Sequence, residues 1–97
     1  MLSSRPVWAS LGYLHLAVGS VPEARGYFDL LRRKYPDDPR VPVTDHYWGE
    51  HYLKHGEYTR AAEHFQYVVR SHLDSDVAAA STLGLLKALV ADRKSVV

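Results

Sequence analysis

A chain of 97 residues without cysteine has room for one small core and none for disulfides or thiol chemistry. Its twelve Lys and Arg stand against eleven Asp and Glu, for a net charge of +1, which argues against the clustered basic surface of a nucleic-acid binder. No apolar run approaches the ~20 residues that span a bilayer.

Turn signals at Gly19-Ser20, at YPDDP (35–39), at His55-Gly56 and at LDSD (73–76) cut the chain into five pieces, about 5–18, 21–35, 39–55, 57–72 and 75–91. Each is long enough for three to four helical turns, and none alternates with period two, so an all-α fold without strands is expected. The first piece follows Arg5 as a signal-peptide core would, but Gly12, Tyr13 and His15 dilute it. Ser4 can cap this helix, with Pro6 in its first turn. Ser20 followed by Glu23 makes a capping-box pattern before the second helix, and Pro22 fits its opening turn. Arg32-Arg33-Lys34 reads as the solvated end of that helix, and Pro36 stops it, having no N–H to donate. Asp38-Pro39 looks like the cap and first residue of the third helix, and Ser75 like the cap of the fifth.

The pieces are not independent. Gly12, Gly19, Ala24 and Phe28 recur 37 residues later as Gly49, Gly56, Ala61 and Phe65, while Leu11 maps to Trp48, Val21 to Tyr58 and Leu31 to Val68. A third start is read at Leu83-Gly84, which echoes Trp48-Gly49 at an offset of 35. Internal repeats of this period indicate stacked helical pairs. Glycine inside a helix costs about 1 kcal/mol relative to alanine, so Gly12 and Gly49 need a reason.

This spacing resembles the tetratricopeptide repeat, a helix–turn–helix unit. Trp8, Leu11, Gly12, Ala24, Phe28 and Pro36 carry the resemblance in the first unit, with His15 at the usual Tyr. Trp48, Gly49, Tyr52, Gly56, Tyr58, Ala61 and Phe65 carry it in the second, with Asp45 at the large opening apolar position and Leu73 at the closing proline. The third unit offers Leu83 and Gly84, with Lys87 at the Tyr position. The resemblance implies a solenoid of about five antiparallel helices, two full repeats and a half, in one domain over residues 1–97. The repeats would run about 5–38, 42–75 and 76–97. The third and fourth pieces with their connection are also similar to repeats of bacterial envelope or secretion-associated proteins, such as Tol-Pal coordinating factors and outer-membrane assembly lipoproteins.

Six histidines raise metal chemistry. His51 and His55 share a helical face, near His46 and Glu50, but HYLKH lacks the glutamate of HExxH, and no cysteine completes a structural zinc site. No metal and no cofactor is expected. No G-x-S-x-G turn and no glycine-rich phosphate loop occurs, so no catalytic residue is assigned.

Binding of a protein or peptide is the expected activity, as a scaffold or adaptor. The resemblance puts the first helix of each unit along a concave groove. Its lining would be Ala9, Ser10, Tyr13, Leu16 and Ala17, then His46, Tyr47, Glu50, Leu53 and Lys54, then Ser81, Thr82 and Leu85. Leu16, Leu53 and Leu85 can alternatively be core. Chaperone-binding members hold a terminal carboxylate with a Lys–Asn clamp, and Ala9 and Tyr13 stand at those positions here, so that function is not expected. Two alternatives are a small cytosolic secretion chaperone and a self-assembly module. The second would use apolar end helices carrying Trp8, Leu11 and Leu14, or Leu83, Leu85, Leu86, Leu89 and Val90. The compartment stays open: cytoplasmic by default, periplasmic if the chain is part of a longer one.

Overall fold

The computed structural model describes residues 4–96, and these form five helices with no strand among them. They are α1 (Ser4–Ala17), α2 (Val21–Lys34), α3 (Arg40–Lys54), α4 (Tyr58–Ser71) and α5 (Ala78–Val96). The expected five-helix, all-α architecture is what folds. α5 begins three residues later than the turn signals suggest and runs further. The caps assigned to Ser4 and Pro6 concern side chains outside the described residues.

Two compact units divide the chain, one up to Thr44 and one from Asp45 onward. The division falls within α3. Unit 1 holds α1, α2 and the first turn of α3, and unit 2 holds the rest of α3 with α4 and α5.

In unit 1, α1 ends in a left-handed glycine, Gly19 at φ +88. The Gly19 N–H donates to Leu16 O at 3.2 Å and the Ser20 N–H to His15 O at 2.7 Å, the two bonds of a Schellman closure. Ser20 therefore serves the end of α1 as well as the start of α2. Its backbone, at φ −86 and ψ 71, lies outside the extended region typical of an N-cap, and its hydroxyl makes no capping bond. The capping box expected at Ser20 and Glu23 is thus not closed by Ser20. Ala24, Phe28 and Leu31 form the buried stripe of α2. A Cβ on Gly12 would collide with the Phe28 ring, which is the close approach that requires a glycine in α1. Ala9, Leu31 and Val41 form a cluster on which Trp8 and Tyr35 pack, the two rings 5.8 Å apart.

The connection into α3 is pinned by Asp38. Its Oδ1 accepts from the Arg40 N–H at 2.8 Å, its backbone oxygen accepts from Val41, and the Arg40 guanidinium lies 3.6 Å away. The expected cap at Asp38 is present. Further along, the Thr44 hydroxyl donates to Val41 O at 2.6 Å and accepts from Arg32 at 3.2 Å.

Unit 2 repeats this plan. Gly56 is left-handed at φ +78, and Gly56 and Glu57 donate to Leu53 O and Tyr52 O at 3.2 and 2.9 Å. Ala61, Phe65 and Val68 form the buried stripe of α4. Phe65 lies between two glycines on different helices: a Cβ on Gly49 of α3 would meet its ring at 2.6 Å and one on Gly84 of α5 at 2.5 Å. Ala61, Phe65 and Ala88 make the core, with Tyr52, Leu53, Ala62 and Leu85 packed on it.

The third start is placed differently from the sequence echo. The connection before α5 keeps the offset of 37: Ser75 bonds back to His72, and Ala78 to Ser75, as Asp38 does to Tyr35 and Val41 to Asp38. Counting on from Gly49 in that register arrives at Leu86. Gly84 receives Phe65 from the preceding helix, and Leu83, read as the counterpart of buried Trp48, is more than half exposed. The string match favoured the glycine, whereas the turn geometry sets the register.

Candidate functional site

The expected groove residues lie in both units. In unit 1, Tyr13 and Ala17 stand exposed on α1, while Ala9 and Leu16 are buried. In unit 2, α3 presents Tyr47, Glu50 and Lys54 at positions i, i+3 and i+7, one helical face. Glu50 and Lys54 are exposed and Tyr47 is half-buried. His46 and Leu53 border this stripe on the side of α5.

His46 is buried, with Nδ1 hydrogen-bonded to Ser81 Oγ at 2.8 Å, so that α3 is tied to α5. Its Nε2 lies 3.5 Å from Glu50 Oε1, one turn along α3, and its ring packs 5.5 Å from that of Phe65. Burial pushes the His46 pKa below its ordinary value, and the Glu50 carboxylate pulls it back up in part. Leu53 and Leu85 are half-buried on the Phe65 core. The face that results has an acid at Glu50, a base at Lys54, an aromatic with a polar tip at Tyr47 and an apolar border at Leu53 and Leu85. Such a surface can hold a peptide or helix by packing and charge-assisted hydrogen bonds. Ser81 is fully buried and serves as the partner of His46, and the Thr82 hydroxyl turns back to Ala78 O at 2.9 Å.

On another face of α3 lies an aromatic stack. Trp48 stacks on Tyr52 at 6.0 Å and Tyr52 on His64 at 5.5 Å, with the Arg60 guanidinium 5.7 Å from the centre of the Tyr52 ring. Asp45 is buried and pairs with His64 Nδ1 at 3.3 Å, so this acid has a polar partner at the repeat's large apolar position. The stack was missed from the sequence, although a signal existed. In unit 1, His15 and Tyr27 stack at 5.5 Å, and those positions 37 residues on are Tyr52 and His64. The same pair is formed with the residue types exchanged.

His51 and His55 stand 4.5 Å apart, ring centre to ring centre. Burial lowers the His51 pKa, aided by His55 and Lys54 and opposed by Glu57. Among the described residues no group of three or more His, Asp or Glu is arranged to hold a metal ion, and no helix is long and apolar enough to cross a membrane.

Helical hairpins closed by matching left-handed glycines, each seating a phenylalanine against a glycine, define a helical-repeat protein. The family model described as Tetratricopeptide repeat matches residues 48–94, from Trp48 through most of α5, and supports a tetratricopeptide repeat family for the chain. Repeats of this family generally mediate protein–protein interaction and are non-catalytic. No curated protein and no solved structure matches the chain.

Proposed function

We propose that this protein is an interaction scaffold or adaptor whose primary contact face is the α3 stripe of unit 2. It would hold a peptide or helical segment of a partner between Tyr47, Glu50 and Lys54 on one side and Leu53 with Leu85 on the other. The observation that carries this reading is the fixed floor beneath a mixed, exposed rim. The His46–Ser81 bond at 2.8 Å ties the two helices together, and little ordering cost remains for the rim to meet on binding. The preferred ligand is a segment with an apolar anchor flanked by both signs of charge, matching Glu50 and Lys54. Tyr13 stands at the repeat position of Glu50 in unit 1.

Panning a random peptide library on the immobilised protein, then mapping a selected peptide by amide chemical-shift changes, tests this. Shifts should concentrate at Tyr47, Glu50, Leu53, Lys54 and Leu85. Tyr47→Ala should weaken the peptide by about tenfold or more, as loss of an aromatic anchor does, with helicity unchanged. Shifts confined to the far side of α5 or to the Trp48 stack would refute the assignment.

A further inference from the structure

We propose that α5 is a self-association helix, and that a second copy of this chain pairs with it antiparallel through its outer face. The inference does not depend on the α3 stripe, because it uses the opposite side of α5. The packed side of α5 is a stripe of small residues, Ala78, Ser81, Gly84 and Ala88, all buried. Its other side is apolar and exposed: Leu83 at 54%, Leu86 at 56% and Val90 at 51%, with Ala79 continuing the line. Leu86, Lys87, Val90 and Ala91 line a shallow depression there. Contiguous exposed apolar surface of this kind marks an interaction site.

Two features select a second copy as the occupant. The first is the residue at the repeat's glycine position. Gly12 and Gly49 leave room for a phenylalanine from the following helix, whereas the same register in α5 gives Leu86. A helix of the repeat type cannot seat a phenylalanine where that leucine stands, but a leucine-lined helix can pack against it. The second is charge. Exposed Asp76 precedes α5 and exposed Arg93 lies near its end. When α5 is laid antiparallel on itself about the midpoint of residues 84 and 85, Leu83 faces Leu86 and Ala79 faces Val90, each pair twice by symmetry, and the turn that carries Asp76 comes to the end of the partner helix that carries Arg93. The 15 helical steps from Ala78 to Arg93 span roughly 22 Å at helical rise, and Asp76 in the turn just before Ala78 sets a charge pair at each end of one apolar seam. Antiparallel pairing also aligns the helix dipoles favourably, and a two-fold contact is closed, so growth stops at the dimer.

Sedimentation velocity over a concentration series tests this, on the whole chain. Monomer at low concentration should pass to dimer, and no further, as expected of a small interface. Leu86→Glu, a change at an exposed position, should abolish the dimer while the far-ultraviolet helical signal is kept. Asp76→Arg and Arg93→Asp alone should each weaken the dimer by roughly tenfold, because each places like charges opposite one another twice, and the double exchange should restore it. A chain that stays monomeric throughout, growth beyond the dimer, or charge reversals without mutual rescue would each overturn the proposal.

Discussion

Units 1 and 2 share a backbone and differ in what they place on it. The α1–α2 and α3–α4 turns use the same four hydrogen-bonding positions 37 residues apart, with left-handed glycines at φ +88 and +78. The helices that follow end alike as well, at Tyr35 with φ −136 and ψ 66 and at His72 with φ −136 and ψ 46. Yet Tyr35 precedes a proline and His72 a leucine. The stop after α2 is therefore not proline's doing alone. What each unit retains is the pair of features nothing else can supply: a glycine for positive φ, and a glycine to admit the phenylalanine. What varies is everything a neighbour can accommodate, down to a stacked His–Tyr pair written in either order.

The sharpest way to break this comparison is at the phenylalanines. Phe28 and Phe65 are both fully buried, but Phe65 meets glycines from two helices and the ring of His46. Truncation to alanine is expected to cost about 3–5 kcal/mol at either site, with Phe65→Ala nearer the upper end because three helices border its cavity. Urea melts followed by the fluorescence of a single tryptophan, Trp8 for unit 1 or Trp48 for unit 2, give each loss. A larger loss for Phe28→Ala would mean that Phe65 does not centre its unit's core.

A smaller contrast is set by pH. His46 and His51, both in unit 2, have pKa values lowered from 6.5, chiefly by burial. A histidine held neutral in the fold takes up a proton more readily once the chain unfolds, so acid favours the unfolded state. The stability that depends on this is fully present above the ordinary value of 6.5 and is lost as pH falls through the folded pKa. The urea midpoint read at Trp48 should therefore drop between pH 7.5 and 5, and His46→Gln should flatten part of that slope. Glu50, whose carboxylate is set against His46, moderates the effect, so Glu50→Gln should steepen it. A midpoint unchanged over this range would contradict the buried neutral ring.

The offset of 37 was legible in the sequence because glycine and phenylalanine have few substitutes at these sites, and they fixed helix number, turns and core. The third start was not, because Gly84 mimics Gly49 in a short string while the Ser75 connection, which sets the register, carries no distinctive residue. At the candidate site, the family resemblance put Glu50 and Lys54 among the groove residues, and both are exposed. It could not tell that His46 is buried on Ser81, since a histidine on a helix face reads the same whether or not a hydroxyl 35 residues away meets it. Nor could the Ser20–Glu23 pattern reveal that Ser20 is already held by the turn behind it.

The smallest expected effect grafts one connection onto the other. In unit 1, Pro36 and Asp38 occupy the positions of Leu73 and Ser75 in unit 2. Leu73 is 72% exposed, and the residue before it already has nearly the conformation Tyr35 takes before proline. Leu73→Pro should stabilise the chain by roughly 0.4–1 kcal/mol by restricting the unfolded state. Ser75 Oγ is buried without a hydrogen-bond partner, whereas the longer Asp38 reaches the N–H two residues on at 2.8 Å. Ser75→Asp should capture the equivalent N–H of Val77 and add about 0.5–1 kcal/mol, the range of a helix cap. The lower end is expected, because Asp38 also has the Arg40 guanidinium and position 77 offers only valine. Thermal melts of the two single variants and the double give the increments. If Ser75→Asp destabilises, the two connections share hydrogen bonds without sharing the space that lets a carboxylate cap the helix.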